Sequence, residues 1–101
     1  MNEFRAAVEA GDFAALGDLL AEDVVFRSPV AFKPYEGRPI VAAILRGVGR
    51  VFTDFRYVRE LADGQGSALV FETVVDGVSV NGIDLISTND AGLISELTVM
   101  P

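Results

Sequence analysis

The sequence contains no cysteine and no histidine, and it has only eight basic residues against fifteen acidic ones. Without cysteine there is no disulfide, no thiol nucleophile and no thiolate metal site. Without histidine the commonest general base and the commonest transition-metal ligand are both missing. The net charge of −7 argues against nucleic acid and against anionic membrane surfaces, because both are recognised through Lys and Arg. The few basic residues are scattered, apart from Arg56 and Arg59. Glu9, Asp12, Asp18, Glu22 and Asp23 are spread along the N-terminal region without the alternating oxygen ligands of a calcium loop. The sequence therefore implies neither metal nor cofactor. No apolar run approaches the ~20 residues of a membrane span. No basic segment followed by an apolar one marks a signal peptide, so the expected location is cytoplasmic and soluble.

What is present suits one domain over residues 1–101. Half the residues are hydrophobic, enough for a sizeable core, and a domain of this size buries roughly 60–70% of its unfolded surface. Asn2 is placed to cap a helix through Glu3–Ala10, ended by Gly11. Asp12 is placed to cap a second, with Phe13, Leu16, Leu19 and Leu20 as its apolar stripe. Val24–Phe26 reads as a short strand, and residues 28–38, with Pro29, Pro34 and Gly37, as a loop. Pro39 suits the first turn of a third helix, whose buried side is Ile40, Val41, Ile44, Leu45 and Val48. Residues 53–62, 68–75, 78–87 and 93–100 read as four strands, joined at Asp63–Gly66, Asp76–Gly77 and Asn89–Gly92. The fold class is α+β: a curved antiparallel (mixed) sheet with three N-terminal helices on its concave face.

Alternation places Val80, Gly82, Asp84 and Ile86 on the helix side, with Leu69, Phe71, Thr73, Val75, Leu97 and Val99 from neighbouring strands. Asp84 interrupts this apolar surface. A carboxyl group there must be hydrogen-bonded, paired or held protonated. It reads either as a neutral acid facing a ligand or as a structural aspartate satisfied by backbone N–H groups, Arg56 or Arg59. The opposite face, with Val70, Glu72, Val74, Ile83, Leu85 and Thr98, is apolar enough to be costly in water. It is expected to pack on a second copy as a two-fold dimer; an ordinary half-wet sheet is the alternative.

The order of elements resembles the SnoaL-like, or nuclear transport factor two-like, superfamily, whose cone-shaped domains enclose a pocket between sheet and helices. The resemblance rests on Ala10-Gly11-Asp12-Phe13, Leu19 to Phe26, Tyr35-Glu36-Gly37-Arg38, Gly82-Ile83-Asp84-Leu85 and Ala91 to Glu96. It implies that Asp84 falls where ketosteroid isomerases hold a protonated aspartic acid in the oxyanion hole. The isomerase general base corresponds to Ser28, before Pro29, and the oxyanion tyrosine of the first helix to Phe4. Ketosteroid isomerisation is therefore not expected. Limonene epoxide hydrolases need an aspartate near Val99, where this chain has none. An acid/base role of the polyketide-cyclase kind remains open to Asp84. Relatives often continue beyond the last strand with a segment that closes the pocket; this sequence stops at Met100-Pro101, so either that end is more open or the sequence is cut short.

The resemblance makes Asp84 the candidate catalytic residue. Ser28, Tyr57, Phe4, Phe26, Phe71, Thr73, Leu97 and Val99 are the candidate substrate-binding residues. Tyr57 reads either as a second pocket donor or as a core tyrosine, and Ser28 as a ligand contact or a turn former. The segment Phe32-Lys33-Pro34-Tyr35 reads as a lid or a plug. The expected function is a cofactor-independent pocket protein for a hydrophobic small molecule, with cyclase- or isomerase-type chemistry on an oxygen-bearing substrate. The alternative is a non-catalytic binding module or a dimeric interaction module.

Overall fold

The computed structural model describes residues 2–28 and 33–100. Pro29, Phe32 and Pro101, and with them part of the expected loop and lid, lie outside the described residues.

Two short helices open the chain, α1 over Asn2–Ala10 and α2 over Phe13–Asp18. Their junction is tied by Asp12 N donating to Ala7 O at 2.9 Å. The Asp12 carboxylate caps α2 by accepting from Ala15 N at 3.1 Å. The apolar stripe of Phe13, Leu16, Leu19 and Leu20 predicts a longer α2 than is found. Sheet pairing wins at its end: Ile94 N donates to Leu19 O at 2.8 Å, and Leu20 opens strand β1, Leu20–Arg27. That switch buries Leu20 and Val24 completely.

A two-residue strand β2, Tyr35–Glu36, pairs antiparallel with β1 inside what the sequence marks as loop. Pro34 and Gly37 bracket it too closely for periodicity to show it. Helix α3, Arg38–Val51, follows with Pro39 in its first turn. Arg38 donates from Nε to Leu20 O at 2.9 Å and so fastens the start of α3 to β1.

Four long strands complete the sheet: β3 Thr53–Asp63, β4 Gly66–Val75, β5 Val78–Thr88 and β6 Ile94–Met100. The order across it is β2-β1-β6-β5-β4-β3, all antiparallel except β1 with β6. The β4–β5 hairpin turns at Asp76-Gly77, where both residues have positive φ (50° and 80°), the backbone that an Asp-Gly pair tolerates. Asn89 shapes the β5–β6 turn, its Oδ1 accepting from Ala91 N and Leu93 N. Irregular register in β3, on both sides of Arg56-Tyr57, bends that edge toward the helices.

The register fixes the two faces. Tyr57, Phe71 and Gly82 form one inward row; Leu69, Asp84 and Val99 form the next; Ser67, Ile86 and Leu97 form a third. The helices cover this concave side, and the core of Phe4, Ala7, Leu16, Val41, Leu69, Phe71 and Leu97 lies between. Among the described residues no helix is long and apolar enough to cross a membrane.

Candidate functional site

Between the helices and the inward rows lies a cavity of about 310 Å³. Its walls are apolar: Phe4 and Val8 from α1, Phe13 and Leu16 from α2, Leu45 and Val48 from α3, then Phe52, Phe55, Leu97 and Val99. Three ionisable side chains interrupt them, Glu9, Tyr57 and Asp84. Among the described residues, the wall contains no Lys or Arg.

Asp84 is in the middle of β5, opposite Leu69 and Val99, and is only 6% exposed. Tyr57, at the bend of β3, is 4% exposed. Its hydroxyl donates to Asp84 Oδ2 at 2.6 Å. The short distance is that of a charge-assisted O–H···O⁻ bond. Burial pushes the Asp84 carboxyl up to about 6, against a smaller downward pull from the Tyr57 hydrogen bond. Burial, then the Asp84 charge and hydrogen bond, drives the Tyr57 hydroxyl far upward, so it stays a donor. A value near 6 lies between the two sequence readings of Asp84, a neutral acid and a structural carboxylate. With a value near 6, roughly one carboxyl in ten is protonated at pH 7. Arg56 and Arg59 are not its partners: both fall on outward rows, and Arg56 pairs with Glu72 at 2.8 Å.

Glu9 marks the rim. Its Oε2 accepts from Tyr57 N at 3.4 Å, and its Oε1 from Arg5 Nε at 3.3 Å. Arg5 also reaches Tyr57 O at 3.2 Å and Glu60 at 3.5 Å. This clasp ties α1 to the backbone of Tyr57 and so steadies the hydroxyl that serves Asp84. Sequence reasoning missed Glu9. Its one signal is the i, i+4 spacing from Arg5, which any solvated helix face also shows.

Of the candidate residues, Asp84, Tyr57, Phe4, Leu97 and Val99 line the cavity. Four do not. Phe71 is buried behind Phe55, their rings stacked with centroids 5.0 Å apart. The Thr73 hydroxyl is satisfied within the sheet edge, donating to Thr53 O at 2.7 Å. Phe26 is buried in the core, its ring centroid 6.5 Å from that of Tyr35, and is not part of the cavity wall. Ser28 follows the end of β1 and lies outside the cavity. Alternation identifies the inward face correctly; it does not tell which inward residues the helices then cover. The helix-borne wall (Phe13, Leu45, Val48, Phe52) reads in the sequence simply as core. Among the described residues no group of three or more Asp and Glu is placed to hold a metal ion.

Residues 1–97 match the family model of the SnoaL-like domain. The crystal structure of a steroid delta-isomerase from Pseudomonas aeruginosa is 42% identical, with a TM-score of 0.92 over 98% of this chain and 74% of that one. An uncharacterized protein conserved in bacteria with a cystatin-like fold, from Silicibacter pomeroyi, is 40% identical, with a TM-score of 0.93 over 98% of this chain and 70% of that one. A putative polyketide cyclase from Sinorhizobium meliloti shares the fold at 16% identity, with a TM-score of 0.79 over 98% of this chain and 91% of that one. No curated protein matches. The family model, the two relatives at 40% identity or more and the cone of helices on a bent mixed sheet agree: the chain belongs to the SnoaL-like family.

Proposed function

We propose that the protein binds a compact, largely hydrophobic small molecule in this cavity and exchanges a proton with it through Asp84. The enzymatic form of that reading is acid/base chemistry of the cyclase or isomerase kind on an oxygen-bearing substrate. The observation that carries it is the buried Tyr57–Asp84 pair opening onto an otherwise apolar cavity. Tyr57 holds Oδ2 and leaves Oδ1 to accept a proton. A carboxyl poised near 6 suits a base working at neutral pH. The cavity is at the lower end of the ~300–1,000 Å³ range of ligand pockets, which favours a compact ligand. The steroid delta-isomerase relative supports the reaction class. The ketosteroid reaction itself is disfavoured, because the base position is Ser28, outside the cavity, and the donor position is apolar Phe4.

One observation favours binding without turnover. The Tyr57 hydroxyl is committed to Asp84, so while Asp84 is ionised the cavity-lining side chains supply no donor for a developing oxyanion. Exchange of α-protons of small hydrophobic ketones in D₂O, followed by NMR, separates the readings. The enzyme reading expects exchange that rises with pH through about 6, levels off, and falls to the buffer rate in Asp84→Asn. Shifted Leu97 and Val99 methyl signals with no exchange would leave a binding protein. A ketone panel that neither binds nor exchanges would remove the enzymatic reading on ketones.

The outer sheet face, on which Leu61 and Leu85 are exposed, supports a second proposal, a two-fold homodimer.

A further inference from the structure

The proposed function leaves the ligand's polar group undefined, and charge narrows it. With Asp84 ionised, its carboxylate and that of Glu9 are acceptors only, and the Tyr57 hydroxyl is already spent on Asp84 Oδ2. Among the described residues, the side chains lining the cavity therefore offer acceptors and no free donor. Among the described residues, the buried charge of Asp84 also has no counter-ion. Arg5 is outside the wall and is held by Glu9, Glu60 and the Tyr57 carbonyl. Five aromatic rings line the same space: Phe4, Phe13, Phe52, Phe55 and Tyr57. Aromatic walls with an unpaired carboxylate suit a desolvated organic cation, since rings and carboxylate both attract it.

We infer that the cavity selects a hydrophobic ammonium compound, a primary or secondary amine on a compact apolar body, with the ammonium donating to Asp84 and the apolar part against the aromatic wall. This inference rests on the proposed reading of the cavity as a ligand site, and does not need turnover. Neutral acceptors such as ketones find a donor only in the protonated minority of Asp84, and carboxylates are repelled by both acids.

The groups that face Asp84 are few. Among the described residues, Tyr57 of β3 bonds Asp84 directly and Glu9 of α1 shares its cavity wall; Glu60 lies beyond Leu69 in the same register row, Arg5 is outside the wall paired with Glu9 and Glu60, and the direct neighbours on β4 and β6 are Leu69 and Val99. The pH dependence of amine binding therefore follows Asp84. An alkylamine stays charged through this range, so binding strengthens as pH rises from 5 to 7 and the carboxyl ionises, by about tenfold for a value near 6.

The test titrates the whole chain with 3-phenylpropylamine, the matching alcohol, the matching methyl ketone and the matching carboxylate, by calorimetry at pH 5 and pH 7. The inference expects the amine to bind at least about tenfold tighter than the alcohol at pH 7, and the carboxylate not to bind. Saturation with the amine should move the Asp84 carboxyl ¹³C titration to lower pH, a readout that does not depend on a variant folding. Asp84→Asn should erase the amine's advantage. A ketone that binds better than the amine, tightens as pH falls and moves the Asp84 titration upward would overturn the inference while keeping the ligand site. Failure of every compound to bind would overturn both.

Discussion

At the scale of a residue, the price of a functional carboxyl is set by where β5 places it. The folded-state value of Asp84, about 6, is above its ordinary value of 3.8. On a rise in pH the unfolded chain therefore releases this proton before the folded protein does. The stability linked to the protonated form is fully present below about pH 4 and is lost as pH rises to about 6, beyond which the loss is complete. The gap corresponds to about 3 kcal/mol. The comparison must be with Asp84→Asn, which keeps every other carboxylate and removes only this one. Denaturant unfolding at pH 4 and pH 7.5 should show the variant gaining on the natural sequence by about 2.4 kcal/mol between the two. A stability difference that does not change with pH would mean that the carboxyl is not desolvated, and the base proposed here would have an ordinary acidity.

At the scale of an element, the cavity depends on close approaches that only small residues permit. Gly82 on β5 is the clearest. A Cβ there would come within 2.8 Å of Phe71 Cε2 and 2.9 Å of the Met100 carbonyl oxygen. Phe71 cannot withdraw, being 1% exposed and stacked on Phe55, and a backbone carbonyl in β6 cannot withdraw either. Gly82→Ala should cost about 1–3 kcal/mol, read as a lower thermal midpoint, and Phe55 should pass part of the displacement on to the cavity wall. An unchanged midpoint would mean that Phe71 has room the packing denies. The same element shows what one sequence can and cannot disclose. The run Gly82-Ile83-Asp84-Leu85-Ile86 sets period-two alternation, and that placed Asp84 on the helix side of the sheet. Its partner Tyr57 alternates with Phe55, and both line the cavity, but nothing in the sequence pairs it with Asp84. It reaches Asp84 because β3 is irregular on both sides of it, and register shifts leave no mark in hydrophobic periodicity. Strand β2 escaped for a related reason, two residues being too short to show a period. Glu9 escaped because a rim carboxylate and a solvated one look alike until α1 is docked on β3. The end of α2 was overrun because apolar Leu19 and Leu20 continue a helical stripe, whereas pairing with β6 decides where that stripe stops.

For the whole molecule, the outer face of the sheet poses the remaining problem. Its register rows bring together Leu61, Ala68, Leu85 and Thr98, then Arg59, Val70, Ile83 and Met100. Leu61 is 51% exposed and Leu85 40%. A stable two-fold interface needs about 800 Å² from each partner. Beyond the apolar centre, Arg56 and Glu72 form an ion pair on the same face, suited to a polar rim. Sedimentation equilibrium at tens of micromolar should give twice the 10.8 kDa chain mass, and Leu85→Asp should give the single chain with its circular dichroism unchanged. Charge supplies an independent check on the same association. Each copy carries −7, so two copies repel at long range while the apolar centre holds them together. Raising the ionic strength from about 0.01 to 0.15 M shortens the screening length from about 30 to 8 Å and should tighten the dimer. An association that weakens with salt would instead be held by ion pairs, and a single chain mass at every salt concentration would leave the outer face to water.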